Sequence, residues 1–402
     1  MKILVVQESD WLLRGPHQQH HLLERMSLLG HKIRVIDYEI MWKMSDNREL
    51  ISKREVFEDV SRFYDGAAVT VIRPGIVKIP FFDKLSIFYS HRREILRQVD
   101  EFSPDVILGL GILNTYLAMR IAKDRNIPFV YYLIDALHKL VPSKLLQFVA
   151  KEFEKKTLRG SDRVLVINNA LKDYVVDHGA DISRSYVLPA GIDCDKFNVS
   201  DREVIREKYG IGDDDIVLFF MGWLYNFSGL VEVAYDLLNL KSEKKIKLLI
   251  VGEGDALGEL EEIKKKYDLN NDIIITGWQP YETIPNLLSA SDICLLPAYN
   301  NDIMQYIVPI KIYEYMASGK PVISTRLQGI EKEFGQGNGV IYADNTSQVF
   351  NKAVDLLNEP NDLLNAGLKA RNYVSDQSWD TITSNFEDIL QKARVELEVN
   401  LI

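Results

Sequence analysis

The sequence predicts two doubly wound α/β domains facing across a cleft, with a C-terminal helix returning to the first domain. Three observations lead there. Short β-branched runs alternate with amphipathic helical stretches along nearly all 402 residues. One passage rich in Gly, Pro and Asp, between Leu188 and Asp201, breaks that series in two. The last stretch carries Trp379, Phe386, Ile389 and Leu390 at helical spacing. Strand–helix–strand alternation is the mark of parallel sheets covered on both faces.

In order, residues 2–6 form an apolar run, residues 18–29 a helical pattern, and GHKIRVID a second strand after Gly30. Similar units follow: a strand at 105–108, a helix at 115–125 and a strand at 129–134. A strand at 163–167 then leads to a helix at 170–178 and a strand at 186–188. The second series has strands at 216–220, 247–251, 273–275, 293–296 and 322–324, each followed by Gly or Pro and a helical stretch. The expected organisation is a first domain over 1–190, a linker at 191–200, a second domain over 201–375 and a returning helix at 376–402.

Composition narrows the function. Hydrophobic residues make up 47% and charged residues 26%, which fits globular domains and excludes disordered or collagen-like chains. Cys194 and Cys294, the two cysteines, supply neither a disulfide framework nor a Cys-rich metal site. No apolar run approaches the ~18 residues of a membrane span, and the N-terminus turns polar too early for a signal peptide. The expectation is a cytoplasmic protein. The net charge of −10 is unevenly spread. Residues 1–190 hold 28 Lys and Arg against 24 Asp and Glu, and the remainder holds 20 against 34. The acidic overall charge argues against nucleic acid. A front half with surplus positive charge suits an anionic surface.

Several residues could carry chemistry at the strand ends, where ligands of open α/β sheets bind. Arg14 and Gly15 follow the first strand and could admit a phosphate to the backbone, although no three-glycine dinucleotide fingerprint is present. His17, His20 and His21 lack the acid or Cys partners of a metal site, and no metal is expected. Asp193 and Asp195 in the linker, and Asp213 to Asp215 ahead of a strand, mimic a metal-binding Asp-x-Asp but suit solvated turns. The most informative stretch is NDIMQYIVPIKIYEYMASGKPVIST, residues 301–325. Pro309 and Ile310 open a helix there, and Lys311 and Glu314 lie three residues apart on one face. That helix start with Lys311 would seat a diphosphate, and Glu314 would accept from vicinal hydroxyls such as a ribose.

This block resembles the signature of family-4 glycosyltransferases of the GT-B fold, which has two Rossmann-like domains. The likeness continues through SDRVLVINNALKDYVVDHG, VLPAGIDCDKF, IVLFFMGWLYNFSGL, LLIVGEGD, IITGWQPYETIPNLLSASDICLLP and QSWDTITSNFEDIL, in family order. The resemblance implies transfer of a sugar from a nucleotide-sugar donor with retention of configuration and no obligatory metal; no cofactor is expected, and a lipid-linked or oligosaccharide acceptor is the expected partner. It places the donor on the second domain and the acceptor on the first. By position, Gly277, Trp278 and Gln279 would face the base and Glu314 the ribose. Gly15, Gly222, Ser228 and the Pro309–Ile310–Lys311 turn would surround the diphosphate, with Arg14 a second candidate cation, and Gly252 and Tyr306 would also bind the donor. Asp135 and His138 would bind the acceptor, and Lys311, Asp135 and Glu314 would be catalytic.

The departures from the family pattern are specific. Two cations of the family's G-R-L-x-x-x-K-G are replaced here by Trp223 and Ser228. Tyr306 stands where the first Glu of a spaced pair is expected, and Ile134 where a His precedes Asp135. A divergent active subgroup is the favoured reading, with Lys311 restoring a cation. A non-catalytic nucleotide-sugar-binding module and a GT-B sugar-nucleotide epimerase are the alternatives. Two stretches, 76–97 and 137–159, mix aromatic or aliphatic residues with Lys and Arg, as elements lying in a bilayer interface do. Peripheral attachment at the inner face of the membrane is therefore the expectation for the first domain.

Overall fold

The computed structural model describes residues 1–13, 17–39, 49–79, 82–141, 143–198, 201–239 and 245–400. It divides into two compact units, one of Met1–Ala190 with Trp379–Ile402 and one of Gly191–Ser378.

The first unit opens with β1 (Lys2–Gln7), α1 (Gln18–Leu28), β2 (Lys32–Ile36), β3 (Glu55–Val60), β4 (Val69–Arg73) and α2 (Phe82–Phe102). It continues with β5 (Val106–Leu110), α3 (Leu113–Asp124), β6 (Phe129–Leu133), α4 (Lys144–Gly160), β7 (Arg163–Val166), α5 (Asn169–Asp177) and β8 (Ser185–Val187). Its eight strands run in the order β3-β4-β2-β1-β5-β6-β7-β8. The central strands read VILGL and FVYYL without alternation because helices cover both faces, and every residue of both is buried.

The antiparallel β3 at the edge and β4 beside it lie outside the expected strands. β3 reads EVFEDV, and its exposed, acidic outer positions blur the apolar signal. Charge on an edge strand also discourages pairing with another chain.

The second unit contains α6 (Arg202–Lys208), β9 (Ile216–Met221), α7 (Leu230–Leu238), β10 (Ile246–Val251), α8 (Leu257–Lys266), β11 (Ile273–Ile275), α9 (Ile284–Ser289) and β12 (Ile293–Leu296). It ends with α10 (Ile310–Ala317), β13 (Val322–Thr325), α11 (Gln328–Phe334), β14 (Val340–Ala343), α12 (Val349–Leu357) and α13 (Pro360–Val374). The sheet is parallel throughout, ordered β11-β10-β9-β12-β13-β14, so the chain reverses direction across the sheet between β9 and β12. That reversal is a topological switch point, where ligands of such sheets sit. β14, VIYA, was not among the expected strands: at four residues it gives little periodicity to read.

The final helix, α14 (Trp379–Asn400), belongs to the first unit. Its Trp379, Ile382, Phe386 and Leu390 enter the same core as β1, β2 and β5. Trp379 stacks on His21 of α1 with ring centroids 4.3 Å apart and planes 14° from parallel. Burying each such side chain contributes about 1.5–3 kcal/mol, enough to hold a terminal helix in place.

Candidate active site

Within the second unit, adjacent strand ends are stripped of side chains. Gly222 follows β9, Gly252 follows β10 and Gly277 lies just past β11, with φ of 119°, 140° and 71°. The Gly222 N–H donates to the Val251 carbonyl (2.8 Å) and the Gly252 N–H to the Gly277 carbonyl (2.9 Å). A Cβ on Gly252 would stand 2.0 Å from the Gly222 carbonyl oxygen, so only glycine fits. The result is a backbone floor over which a flat or multiply charged ligand can come close.

Two helices begin beyond these strands. α7 starts from Gly229 and α10 from Pro309, and neither N-cap offers a side-chain acceptor to the helix. Pro309 sits at the cap, one position before the helix, where its extended backbone (ψ 134°) turns the chain inward. Exposed N–H groups at such ends attract anions. Ser228, 5% exposed, has its hydroxyl buried and unbonded among the described residues, immediately before α7.

Lys311, in the first turn of α10, supplies the charge. Its ammonium lies 4.2 Å from the centre of the Phe220 ring and close enough to Gly222 that a Cβ there would be 2.6 Å away. No hydrogen bond or ion pair to Lys311 Nζ is found among the described residues. Burial pulls its pKa down to about 8, with Glu314 partly opposing the shift. A cation held against an aromatic face without a carboxylate partner is poised for an anionic ligand.

Glu314, one turn further on, is 5% exposed, and burial raises its pKa to about 7. Its Oε1 accepts from the Tyr281 hydroxyl at 2.8 Å. Tyr281 packs edge-on against Phe197 and under the Lys196 ammonium, 4.6 Å from the ring centre. Sequence reasoning missed Tyr281 and Lys196, which carry no motif; the signal was only that Tyr281 follows the Gly277–Gln279 loop. Tyr315 was missed too. Its buried hydroxyl accepts from the Met221 N–H at 3.0 Å and ties α10 to the end of β9. Trp278 is 69% exposed, and Gln279 bonds the Thr276 carbonyl at 3.0 Å, which shapes the loop after β11. Tyr306 lies in a short 3-10 turn, Met304–Tyr306, whose backbone packs against Gly329.

In the first unit, Asp135 is half-buried beyond the end of β6, and burial lifts its pKa to about 7. His138 lies in the 3-10 turn Leu137–Leu140, with its Nδ1 3.1 Å from the Tyr174 hydroxyl and 3.3 Å from Glu154. Among the described residues no hydrogen bond joins Asp135 and His138, and the ring of His138 is held by Tyr174 and Glu154. Arg14 and Gly15 lie outside the described residues. The Asp-x-Asp mimics serve turns: Asp193 caps the Lys196 N–H (3.2 Å) and Asp215 the Gly212 N–H (2.7 Å). Among the described residues no cluster of His, Cys, Asp or Glu could hold a metal ion.

Residues 19–196 match the family described as Glycosyltransferase Family 4, and residues 201–373 match Glycosyl transferases group 1. An uncharacterized glycosyltransferase of Methanocaldococcus jannaschii is 24% identical over 326 residues, which span 79% of this chain and 80% of that protein. The alpha-monoglucosyldiacylglycerol synthase of Streptococcus pneumoniae is 24% identical over 66% of this chain and 61% of its own length. HepE of Anabaena, solved in complex with UDP, superposes with a TM-score of 0.74 at 16% identity, covering 98% of this chain and 100% of that one. The two family matches together span most of the chain, which belongs to the family-4-like glycosyltransferases of the GT-B fold, enzymes that use nucleotide-sugar donors.

Proposed function

We propose that this enzyme transfers a hexose from its nucleotide-sugar donor to a lipid-linked or oligosaccharide acceptor, with retention of configuration and without a metal ion. The donor diphosphate lies on the Gly222–Gly252 floor between the starts of α7 and α10, against Lys311 and the Ser228 hydroxyl. Glu314, oriented by Tyr281, takes the ribose hydroxyls, and the Gly277–Gln279 loop borders the base. UDP is the first nucleotide to test, because HepE was solved with UDP and with UDP-glucose.

As the sugar–phosphate bond breaks, negative charge builds on the departing diphosphate. Fixed helix amides and the Lys311 ammonium are placed to stabilise it. The diphosphate then accepts the proton of the attacking hydroxyl on the same face of the sugar. Asp135 positions a hydroxyl of the acceptor or of the transferred sugar.

The observation that carries this reading is the half-buried ammonium of Lys311, with no carboxylate partner among the described residues, in the first turn of a helix without a side-chain cap. Lys311→Ala should lower turnover by about 10²–10³-fold with an unchanged circular dichroism spectrum. Turnover like that of the natural enzyme in this variant would remove the assignment. The missing family cations at Trp223 and Ser228 favour one rival, a non-catalytic nucleotide-sugar-binding module. Transfer or donor hydrolysis above background by the natural enzyme would exclude it.

A membrane role is supported by the first two turns of α4, where Leu145 (75% exposed), Leu146, Phe148 and Val149 face solvent beside Lys144. On α2, Phe88, Tyr89, Arg92 and Arg93 are also exposed. Lys78 does not join them, because it is buried and paired with Glu39 at 2.9 Å. Phe81 lies outside the described residues. Among the described residues no helix is long and apolar enough to cross a membrane, so attachment would be peripheral. Flotation with vesicles containing anionic lipid tests it, and indifference to lipid charge would count against it.

A further inference from the structure

The loop that leaves the donor floor carries three aromatic residues at alternate positions, Trp223, Tyr225 and Phe227. Trp223 stands where the family pattern has a cation, and the donor reading gives none of the three a role. Tyr225 and Phe227 stack with centroids 4.7 Å apart and planes 7° from parallel. Trp223 packs against Tyr225 at 6.5 Å with a 56° tilt. Between them Leu224 is fully buried, which turns its neighbours outward, and Trp223 and Tyr225 remain 51% and 46% exposed.

This row is held rigidly. The Leu224 N–H donates to the Glu253 carbonyl (2.9 Å), and the Leu224 carbonyl accepts from Ala256 (2.9 Å). Ser228 N–H donates to the Tyr225 carbonyl and Tyr299 N–H to the Phe227 carbonyl, both at 2.9 Å. A Cβ on Gly254 would meet the Leu224 backbone nitrogen at 2.5 Å, so the neighbouring loop also depends on a glycine to let this one approach. Single exposed aromatics are common on protein surfaces. An aromatic row pinned by backbone hydrogen bonds beside a candidate ligand site, with Tyr225 stacked on Phe227 and Trp223 tilted against Tyr225, is preorganised.

We propose that Trp223 and Tyr225 form a carbohydrate subsite, on which a neutral pyranose ring lays its C–H face. The ring faces carry partial negative charge and attract the weakly positive C–H groups of a sugar. The row starts one residue past Gly222, beside Lys311, and ends one residue before Ser228, so a ring seated there adjoins the diphosphate seat. Asn226, exposed within the row, offers an amide to the sugar's hydroxyls. A lipid chain would prefer an enclosed groove, and these rings are open to water. The placement rests on the donor reading above, and the shared chemistry is the pyranose, whether it comes from the donor or from an acceptor glycan.

The test uses the full chain with Trp223→Ala and Tyr225→Ala, checked by circular dichroism. Calorimetry is run with UDP and UDP-glucose, and saturation-transfer NMR with methyl glucoside, maltose and dodecyl phosphate. Both variants should bind UDP within about twofold of the natural chain. A loss of at least about fivefold for UDP-glucose alone assigns the platform to the donor sugar. Loss of maltose or methyl glucoside saturation with UDP-glucose affinity intact assigns it to an acceptor glycan. The proposal is overturned if neither variant changes any sugar signal, if no sugar binds the natural chain, or if dodecyl phosphate alone shows the dependence on Trp223. Failure of the natural chain to bind UDP would sink the donor reading instead, while the free-sugar signals still decide this one.

Discussion

In the first unit, the N-terminus of α3 is closed by the chain itself: Glu8, at the end of β1, accepts from the Asn114 N–H at 2.6 Å, and Gly111 leaves room for its side chain. In the second unit, α7 and α10 begin at Gly229 and Pro309 with no side chain capping either, and the group nearest the floor is an ammonium. Both units thus present positive helix ends beyond parallel strands, and the charge placed there differs in sign. The consequences appear in the titrations. Burial raises the Glu8 carboxyl, partly offset by helix amides, whereas burial lowers Lys311 to about 8. An anion arriving at α3 would have to displace a resident carboxylate. At Gly222 it meets a cation and uncapped amides, so a few side chains on a common architecture give the two helix ends opposite charge.

The sharpest way to break this contrast is to install the first unit's arrangement in the second. Ser228→Asp would place a carboxylate before α7, opposite the incoming diphosphate, where like-charge juxtaposition costs several kcal/mol. UDP affinity measured by calorimetry should fall by more than about 100-fold, and unchanged affinity would mean the diphosphate does not lie there.

A pH series sharpens the point. In the free enzyme Lys311 loses its proton as pH rises through about 8, so diphosphate binding needs proton uptake above that value. UDP affinity should then weaken by about tenfold per pH unit between 8.5 and 10, and that slope should vanish in Lys311→Ala. Asp135 and Glu314, each raised to about 7 by burial, act on the other side: both gain charge as pH rises, so kcat/KM should fall below pH 7.

The smallest effect belongs to the first unit. Glu8→Ala leaves the α3 amides without their acceptor and should destabilise the fold by about 1–3 kcal/mol, seen as a lower Tm. UDP affinity should stay within about twofold. A large loss of UDP affinity would show that the donor also depends on the first unit's helix end.

Most of the fold could be read from sequence because fully buried parallel strands are continuous apolar runs with few alternatives, as in IVLFFM of β9. β3 escaped because an edge strand may alternate with charge, and β14 because four residues hold too little periodicity. At the site, residues tied to local motifs were legible: Pro309, Lys311 and Glu314 fall within six residues, and the glycines mark strand ends. Tyr281 and Tyr315 were not, since each acts through a hydroxyl that reaches a partner 33 or 94 positions away. The partners of His138 were hidden in the same way: Tyr174 and Glu154, on other helices, hold its ring.

A crystal structure of the enzyme with UDP is the decisive measurement. A diphosphate oxygen is expected within hydrogen-bonding distance of Lys311 Nζ, with others on the amides that open α7 or α10. A diphosphate seated away from Lys311, or at the α3 end with Glu8 displaced, would contradict it.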